Sequence, residues 1–209
     1  MIITIIIWVL AFAITITIHE ASHAWMANRL GDPTARLWGR LSLNPLAHYD
    51  PVGTTLLLAM VIMRSLGAPV IPFGWAKPVP VDPYNLLNPR RDSALISLAG
   101  PVSNLILTIL LSIILRVFPY ELTFAFTYPM ILLNVSLAIF NLVPVHPLDG
   151  GKILVGILPE KNARQVEYFL DKFGMILLFL LIVSPVLSAV ISPIIGLIVN
   201  FLIPNFATI

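Results

Sequence analysis

The chain has 209 residues, of which 58% are hydrophobic and only 11% are charged, with a formal net charge of +2. A soluble domain does not need so apolar a composition, which is typical of a polytopic membrane protein with little mass outside the bilayer. The absence of cysteine excludes disulfides and thiolate chemistry, and the small net charge gives no indication of a nucleic-acid partner.

Apolar runs divide the chain into candidate spans. Residues 2–28 are long enough to cross a hydrocarbon core that takes about 20 helical residues. Because no basic segment precedes this run, we expect a retained helix rather than a cleaved signal peptide. Two further spans are predicted at 93–117 and 126–143. The run 52–63 is too short to cross, so we expect a re-entrant or interfacial helix there. Residues 174–203 form either one kinked span or a tight hairpin.

These runs predict an all-α polytopic membrane protein, a helical bundle of four to six transmembrane helices with a small re-entrant β element. We expect a single domain over residues 1–209. Within it, residues 1–158 form the predicted catalytic core and residues 174–203 a C-terminal transmembrane segment. No internal repeat is visible, and no sequence feature indicates an oligomeric state.

The distribution of positive charge predicts the orientation. If the run 52–63 leaves the membrane on the side where it enters, every Lys and Arg except Arg116 lies on one side, in residues 29–92 and 152–172. Cytoplasmic loops carry an excess of Lys and Arg. We therefore expect a multi-pass cell-membrane protein with its N-terminus outside, and with the end of the first span at the cytosolic face.

The first span ends in a His-Glu-x-x-His motif formed by His19, Glu20 and His23. On a helix, residues i and i+4 lie on one face, so both imidazoles can bind one metal ion. Glu20 projects about 100° away, within reach of a metal-bound water as a general base. Counting back from Arg29 at ~1.5 Å per residue places the motif roughly 9–15 Å below the interface. Polar side chains at that depth are costly, which indicates a zinc hydrolase site.

A second polar stretch, residues 140–151, follows the third span and contains Asp149. Two His ligands and one carboxylate bind catalytic zinc and leave a fourth position open for water. Asp149 is therefore the candidate third ligand of one Zn²⁺ per chain. Pro144 and Pro147 interrupt the helix before it, which is tolerated in a membrane only beside protein or a wet cavity.

Residues 74–81 predict an edge strand near the site. Pro78 and Pro80 are two residues apart, so they remove hydrogen-bond donors from the same edge of an extended chain. Lys77, Val79 and Val81 keep their donors on the other edge. A protease must hold its substrate extended, and strand addition at this edge would do so. Trp75, Lys77 and Val79 are therefore candidate substrate-binding residues.

Taken together, the motifs resemble those of the site-2 protease family of intramembrane zinc metalloproteases. The resemblance covers about residues 10–160. Within it, the chain is similar to the compact branch of the family, which lacks a PDZ domain. The family pattern is carried by His19-Glu20-x-x-His23, Ala99-Gly100-Pro101-Val102-Ser103-Asn104, and Asn141-Leu142-Val143-Pro144 with Leu148-Asp149-Gly150. The compact branch is indicated by Leu43-Asn44-Pro45-Leu46-Ala47-His48-Tyr49-Asp50 and Phe73-Gly74-Trp75-Ala76-Lys77-Pro78.

The resemblance implies that the chain binds zinc through His19, His23 and Asp149 and cleaves transmembrane segments of other proteins near the cytosolic face. It also implies that Glu20 is the catalytic base and that Asn141 helps to hold the substrate backbone. Asn104 is a candidate both for substrate binding and for an interhelical hydrogen bond. His146 departs from the family pattern and is open to three interpretations: a residue supporting the ligands, an alternative ligand, or a side chain turned to water.

Two other classes of function stay open from the residues alone. A proton- or metal-coupled transporter would use the intramembrane His, Glu and Asp as a relay, although no inverted repeat is present. A catalytically inactive relative would bind membrane proteins without cutting them. Bound zinc with peptide cleavage, zinc flux across vesicles, and the absence of bound metal distinguish the three.

Overall fold

The computed structural model describes residues 2–68, 70, 74–185 and 187–203, apart from the side chains of residues 64, 65, 187 and 188. Short 3₁₀ turns lie at Pro45–His48 and Pro83–Asn85, and a π-helical turn at Leu187–Ile191. Within the described residues, the α-helices are α1 (Ile2–Arg29), α2 (Thr34–Leu37), α3 (Pro51–Ser65), α4 (Pro89–Val117), α5 (Glu121–Asn141), α6 (Asp149–Ile157), α7 (Glu160–Val183) and α8 (Ser192–Leu202).

Three of these helices, α1, α4 and α5, are long and apolar enough to cross a membrane. They pack against one another, because α1 contacts both α4 and α5 and α4 contacts α5. The prediction of an all-helical membrane protein is confirmed in this form. Three candidate spans are fewer than the four to six expected, so the higher count is not confirmed.

The chain that follows helix α3 returns to the start of that helix. Residues Leu57 and Val61 of α3 are buried against Trp8 and Ala11 in the first half of α1. The chain that follows comes back beside the start of α3, since a Cβ on Gly53 would lie 2.1 Å from the carbonyl oxygen of residue 75. The two backbones can approach this closely because Gly53 has no side chain. Helix α3 and the segment after it therefore form a tight hairpin.

Residues 74–82 have no regular secondary structure, and the described part of the chain contains no β-strand. The N–H of Lys77 donates to the carbonyl oxygen of His48 at 3.0 Å, so one donor of the predicted strand edge is already used. Pro78 and Pro80 supply no donor on the other edge. The segment has no neighbouring strand among the described residues, and the re-entrant β element is not confirmed. Phe73 lies outside the described residues.

The far end of the bundle is closed by α8. Its buried residues Ile195 and Val199 pack into a cluster with Leu111 and Leu115 of α4, together with residues of α5. At the opposite end, α6 contacts α4 and α7, and a turn after α5 leads into its first residue, Asp149. The bundle therefore has one end formed by α8 and another formed by α6, and the polar motifs converge near the second.

Candidate metal centre between three helices

Helix α1 presents His19 and His23 to the interior of the bundle. The residues are one turn apart and only 4% and 8% exposed. Their rings meet edge to face with centroids 4.5 Å apart, and their Nε2 atoms are separated by 3.0 Å. Because α1 is an uninterrupted helix, the four-residue spacing alone fixes this pair.

Asp149 completes a group of three. Its Oδ2 atom lies 3.3 Å from Nε2 of His19 and 3.3 Å from Nε2 of His23. The same oxygen is buried and has no hydrogen-bond partner. Among the described residues, these form the one group of at least three His, Cys, Asp or Glu side chains placed to share an ion. The turn before α6 thus brings Asp149 next to two histidines that lie 126 residues or more before it in the sequence.

The three atoms fit a zinc ion. Zinc binds histidine nitrogen and carboxylate oxygen at ~2.0–2.2 Å in tetrahedral geometry, which places neighbouring ligand atoms ~3.3–3.5 Å apart. The three observed separations, 3.0, 3.3 and 3.3 Å, are close to this value. An unpartnered buried carboxylate oxygen is costly without a cation. The donor set and its spacing are therefore those of a catalytic zinc site with one position left for water.

Each imidazole is held from behind through its Nδ1 atom. Nδ1 of His23 lies 2.7 Å from the carbonyl oxygen of Ile96, which can only accept a hydrogen bond. His23 therefore carries its proton on Nδ1 and presents a lone pair on Nε2. Nδ1 of His19 lies 2.6 Å from Oδ1 of Asn104. Helix α4 thus supports both histidines from the side opposite Asp149.

The remaining candidates occupy different environments. Glu20 is half-buried beside His19, and no described residue hydrogen bonds to it. Asn141 is half-buried and donates from Nδ2 to the carbonyl oxygen of Leu137 at 3.0 Å. Asn104 is fully buried, which leaves none of its surface for a substrate.

The segment with Trp75, Lys77 and Val79 lies beside α3 rather than among the three candidate ligands. Trp75 is 42% exposed, Lys77 is exposed and Val79 is half-buried. Gly74 packs against Gly53 and against Phe12 of α1. The structure therefore leaves this segment accessible near the middle of α1.

His146 points away from the three candidate ligands. Its Nδ1 atom lies 2.9 Å from Oδ1 of Asp171 on α7. Its ring and backbone pack so closely against Gly151 and Gly174 that a Cβ on either would lie within 2.6 Å of His146. His146 thus links the turn before Asp149 to α7.

Together, membrane-length helices and a buried His₂Asp group that could hold a metal ion are typical of a zinc hydrolase built inside a helical bundle. The model of peptidase family M50 matches residues 7–126 and 120–181. The chain therefore belongs to this family, the site-2 proteases, and is an intramembrane zinc metalloprotease.

Individual relatives agree with this assignment. YwhC of Bacillus subtilis (strain 168), named as a candidate zinc metalloprotease, is 37% identical over 88% of this chain and 84% of its own length. Rip2 of Mycolicibacterium smegmatis, named in the same way, is 28% identical over 88% of this chain and 69% of its own length. MJ0392 of Methanocaldococcus jannaschii, named a zinc metalloprotease, is 38% identical over 35% of this chain and 22% of its own length. No solved structure matches the chain significantly.

Proposed function

We propose that the chain hydrolyses a peptide bond within a transmembrane segment of another membrane protein, in the cytosolic half of the bilayer. The observation that carries the proposal is the placement of three ligand atoms within 3.3 Å of one another between the membrane-length helices α1 and α4 and the start of α6. A site at this depth meets peptide bonds of membrane-embedded chains rather than those of soluble proteins. The lipid bilayer is thus part of the working environment.

His19, His23 and Asp149 are the proposed ligands of one zinc ion. When bound, zinc acidifies water and polarises a peptide carbonyl. Glu20 follows His19 directly and is the proposed base, which removes a proton from the attacking water and passes it to the leaving amine. Its carboxylate is free for this role, because no described residue hydrogen bonds to it.

The hairpin after α3 supports the proposed orientation. The bond between His48 and Lys77 joins the chain just before α3 to the chain that follows it. The run therefore enters and leaves on the same side, and the Lys and Arg of residues 29–48 and 77–92 stay together on that side. By the excess of positive charge there, that side is the cytosol and the N-terminus lies outside.

A fourth crossing is proposed for residues 174–202. Helix α7 begins beside α6, at the end of the bundle that contains Asp149. Helix α8 ends at the opposite end, where Ser112 Oγ donates to the carbonyl oxygen of Leu202 at 2.5 Å and Arg116 donates to that of Phe201 at 3.1 Å. The run thus passes from one end of α4 to the other, and the break between α7 and α8 interrupts a single span.

The substrate is proposed to bind as a strand along residues 79–81. No described residue bonds to the N–H of Val79 or of Val81, whereas that of Lys77 is engaged by His48. An extended substrate backbone can accept from both free donors, which would turn the irregular segment into a paired strand. Asn141, half-buried eight residues before Asp149, is proposed to bind the same backbone.

The test compares Glu20→Gln with the wild-type protein. Both are purified, incubated with a panel of single-span peptides, and analysed for zinc. We expect Glu20→Gln to retain one zinc per chain and to lose cleavage, because the amide cannot accept the proton. Glu167→Gln changes an exposed carboxylate on α7 and should keep both properties. Cleavage by Glu20→Gln at the wild-type rate would refute the assignment of the base.

A further inference from the structure

A buried cluster of polar side chains joins three helices beside His19. It consists of Thr15 on α1, Asn104 on α4 and Asn134 on α5, each at most 1% exposed. Nδ2 of Asn104 lies 2.7 Å from Oδ1 of Asn134, and Nδ2 of Asn134 lies 2.8 Å from Oγ1 of Thr15. We call this set the amide cluster. Of its members, Asn104 alone bonds to the His19 side chain.

Backbone carbonyl oxygens fix the direction of every bond in the amide cluster. The carbonyl oxygen of Met130 accepts from Asn134 at 2.7 Å, so the nitrogen of that amide faces Met130 and its oxygen faces Asn104. The carbonyl oxygen of Thr15 accepts from Nδ2 of Asn104 at 3.1 Å, so the nitrogen of the Asn104 amide faces Thr15 and its oxygen faces His19. Since carbonyl oxygens cannot donate, neither amide can turn over without losing bonds in a fully buried place.

This orientation sets the tautomer of His19. Oδ1 of Asn104 is left facing Nδ1 of His19 and can only accept, so the imidazole proton lies on Nδ1. The lone pair on Nε2 then faces His23 and Asp149. A rotated Asn104 amide would place its nitrogen there and favour the opposite tautomer, with its proton on the atom proposed to bind zinc.

We propose that Asn134 is a positioning residue of the metal site, acting on His19 through Asn104 without contacting it. The inference rests on the proposed role of His19 as a zinc ligand. His23 gives an internal comparison, because its Nδ1 donates directly to the carbonyl oxygen of Ile96 and does not depend on an amide. Loss of the amide cluster should therefore weaken the Nδ1 hydrogen bond of His19 and leave that of His23 unchanged.

The test uses zinc-bound protein labelled with ¹⁵N-histidine, because the chemical shift of an Nδ1–H proton reports whether that proton is hydrogen-bonded. In the wild-type protein, the Nδ1–H protons of His19 and His23 should both show the downfield shift of a hydrogen-bonded proton. In Asn134→Leu, the His19 signal should move upfield while the His23 signal does not. The zinc dissociation constant, measured by competition with a chelator, should rise about tenfold, in the range expected for the loss of an outer-sphere partner.

Two further variants separate positioning from a general loss of packing. Asn134→Asp, as a neutral carboxyl, again offers one acceptor to Asn104 and one donor to Met130. It should keep the Nδ1 hydrogen bond of His19 and bind zinc within about threefold of wild type. Ser112→Ala removes another buried interhelical bond of α4, far from His19, and should leave that hydrogen bond and the zinc affinity unchanged.

A wild-type His19 whose Nδ1–H proton is not hydrogen-bonded would overturn the proposal without any variant, even if Asn134→Leu failed to fold. An unchanged His19 Nδ1–H signal and unchanged zinc affinity in Asn134→Leu would also overturn it. Neither result would touch the proposed protease function, which depends on the separate effect of Glu20→Gln on cleavage. A folded Asn134→Leu with altered His19 and unaltered His23 supports the proposal.

Discussion

Gly100 of α4 lies directly against His23 of α1. A Cβ atom on Gly100 would be 2.5 Å from Nε2 of His23 and 2.6 Å from Cε1 of His19, both shorter than any normal contact. The wall of the proposed zinc site on this side is therefore bare backbone. The close approach also lets the carbonyl oxygen of Ile96, one turn earlier on α4, reach Nδ1 of His23.

The first prediction concerns Gly100→Ala. The added methyl group should push the imidazoles out of position, because their places are fixed by Ile96 and Asn104 behind them. We expect zinc affinity to fall at least tenfold and peptide cleavage to fall further, since a ligand displaced by ~1 Å can cost about 100-fold in rate. Zinc content and cleavage of single-span peptides measure the two effects.

Gly196→Ala is the matched control for this substitution. Gly196 also lies within a helix, and a Cβ there would have nothing within 4 Å. Alanine is the better helix former by ~1 kcal/mol, so this variant should be as stable as wild type or more stable. Equal activity of the Gly100 and Gly196 variants would mean that α1 and α4 do not approach as closely as described.

The candidate metal site could be predicted from the sequence only where its geometry depends on local spacing. His19 and His23 lie on one helical face at any four-residue separation, so no tertiary information was needed. The role of Gly100 and the bond from Asn104 to His19 depend on how α1 crosses α4, which no local pattern records. His19 and Asn104 are 85 positions apart in sequence, so their contact depends on the fold.

His48 and the segment after α3 likewise show features that local sequence does not predict because they depend on the fold. The sequence His48-Tyr49-Asp50-Pro51 is typical of a turn or a surface position for His48. His48 lies in a 3₁₀ turn and is 1% exposed, because its Nε2 bonds to the carbonyl oxygen of Ser42 and its own carbonyl oxygen accepts from Lys77. Alternate prolines predict a one-sided edge, but a strand also needs a partner. Within the described part of the chain none is present.

The second prediction concerns Asp149 and the removal of metal. Asp149→Ala removes the one carboxylate of the proposed ligand set, so zinc should no longer bind and cleavage should stop. A ligand that binds only the folded state raises its stability. Chelation should therefore lower the thermal unfolding midpoint of wild type, and added zinc should restore it. The Asp149→Ala midpoint should not respond to zinc, whereas Glu20→Gln should respond as wild type does.

Loss of the zinc response in Glu167→Gln, which changes an exposed residue, would show that the response is not specific to the three-ligand site. A zinc response retained by Asp149→Ala would assign the third ligand to another group. Elemental analysis of each purified variant gives the metal content independently of unfolding.

The third prediction concerns the pH dependence of folding stability. Asp32 is buried after α1, and burial raises the pKa of its carboxyl. Bonds from Thr34, Asp82 and Asn85 more than offset this, so its pKa lies below the ordinary value. A lowered pKa means that the stabilisation is complete at neutral pH and is lost as the pH falls below about 4, where the unfolded chain takes up the proton first.

Asp32→Asn should accordingly lose stability at pH 7, by about 1–3 kcal/mol for hydrogen bonds to a charged group. Its difference from wild type should narrow between pH 5 and pH 3. Unfolding midpoints of both proteins across this range, at constant salt, test the sign. A difference that widens as the pH falls would show that the pKa of Asp32 is raised rather than lowered.

The fourth prediction tests strand addition by the substrate at residues 79–81. Val79→Pro removes one of two free N–H donors without touching the bond between Lys77 and His48. The loss of one hydrogen bond worth ~1–1.5 kcal/mol should lower kcat/KM about tenfold, chiefly through KM. Ala76→Pro is the matched control, because in an extended segment its N–H points to the edge that Pro78 and Pro80 already block. It should change kcat/KM by less than about twofold. Equal effects of the two proline substitutions, measured on the same single-span peptide, would place the substrate elsewhere.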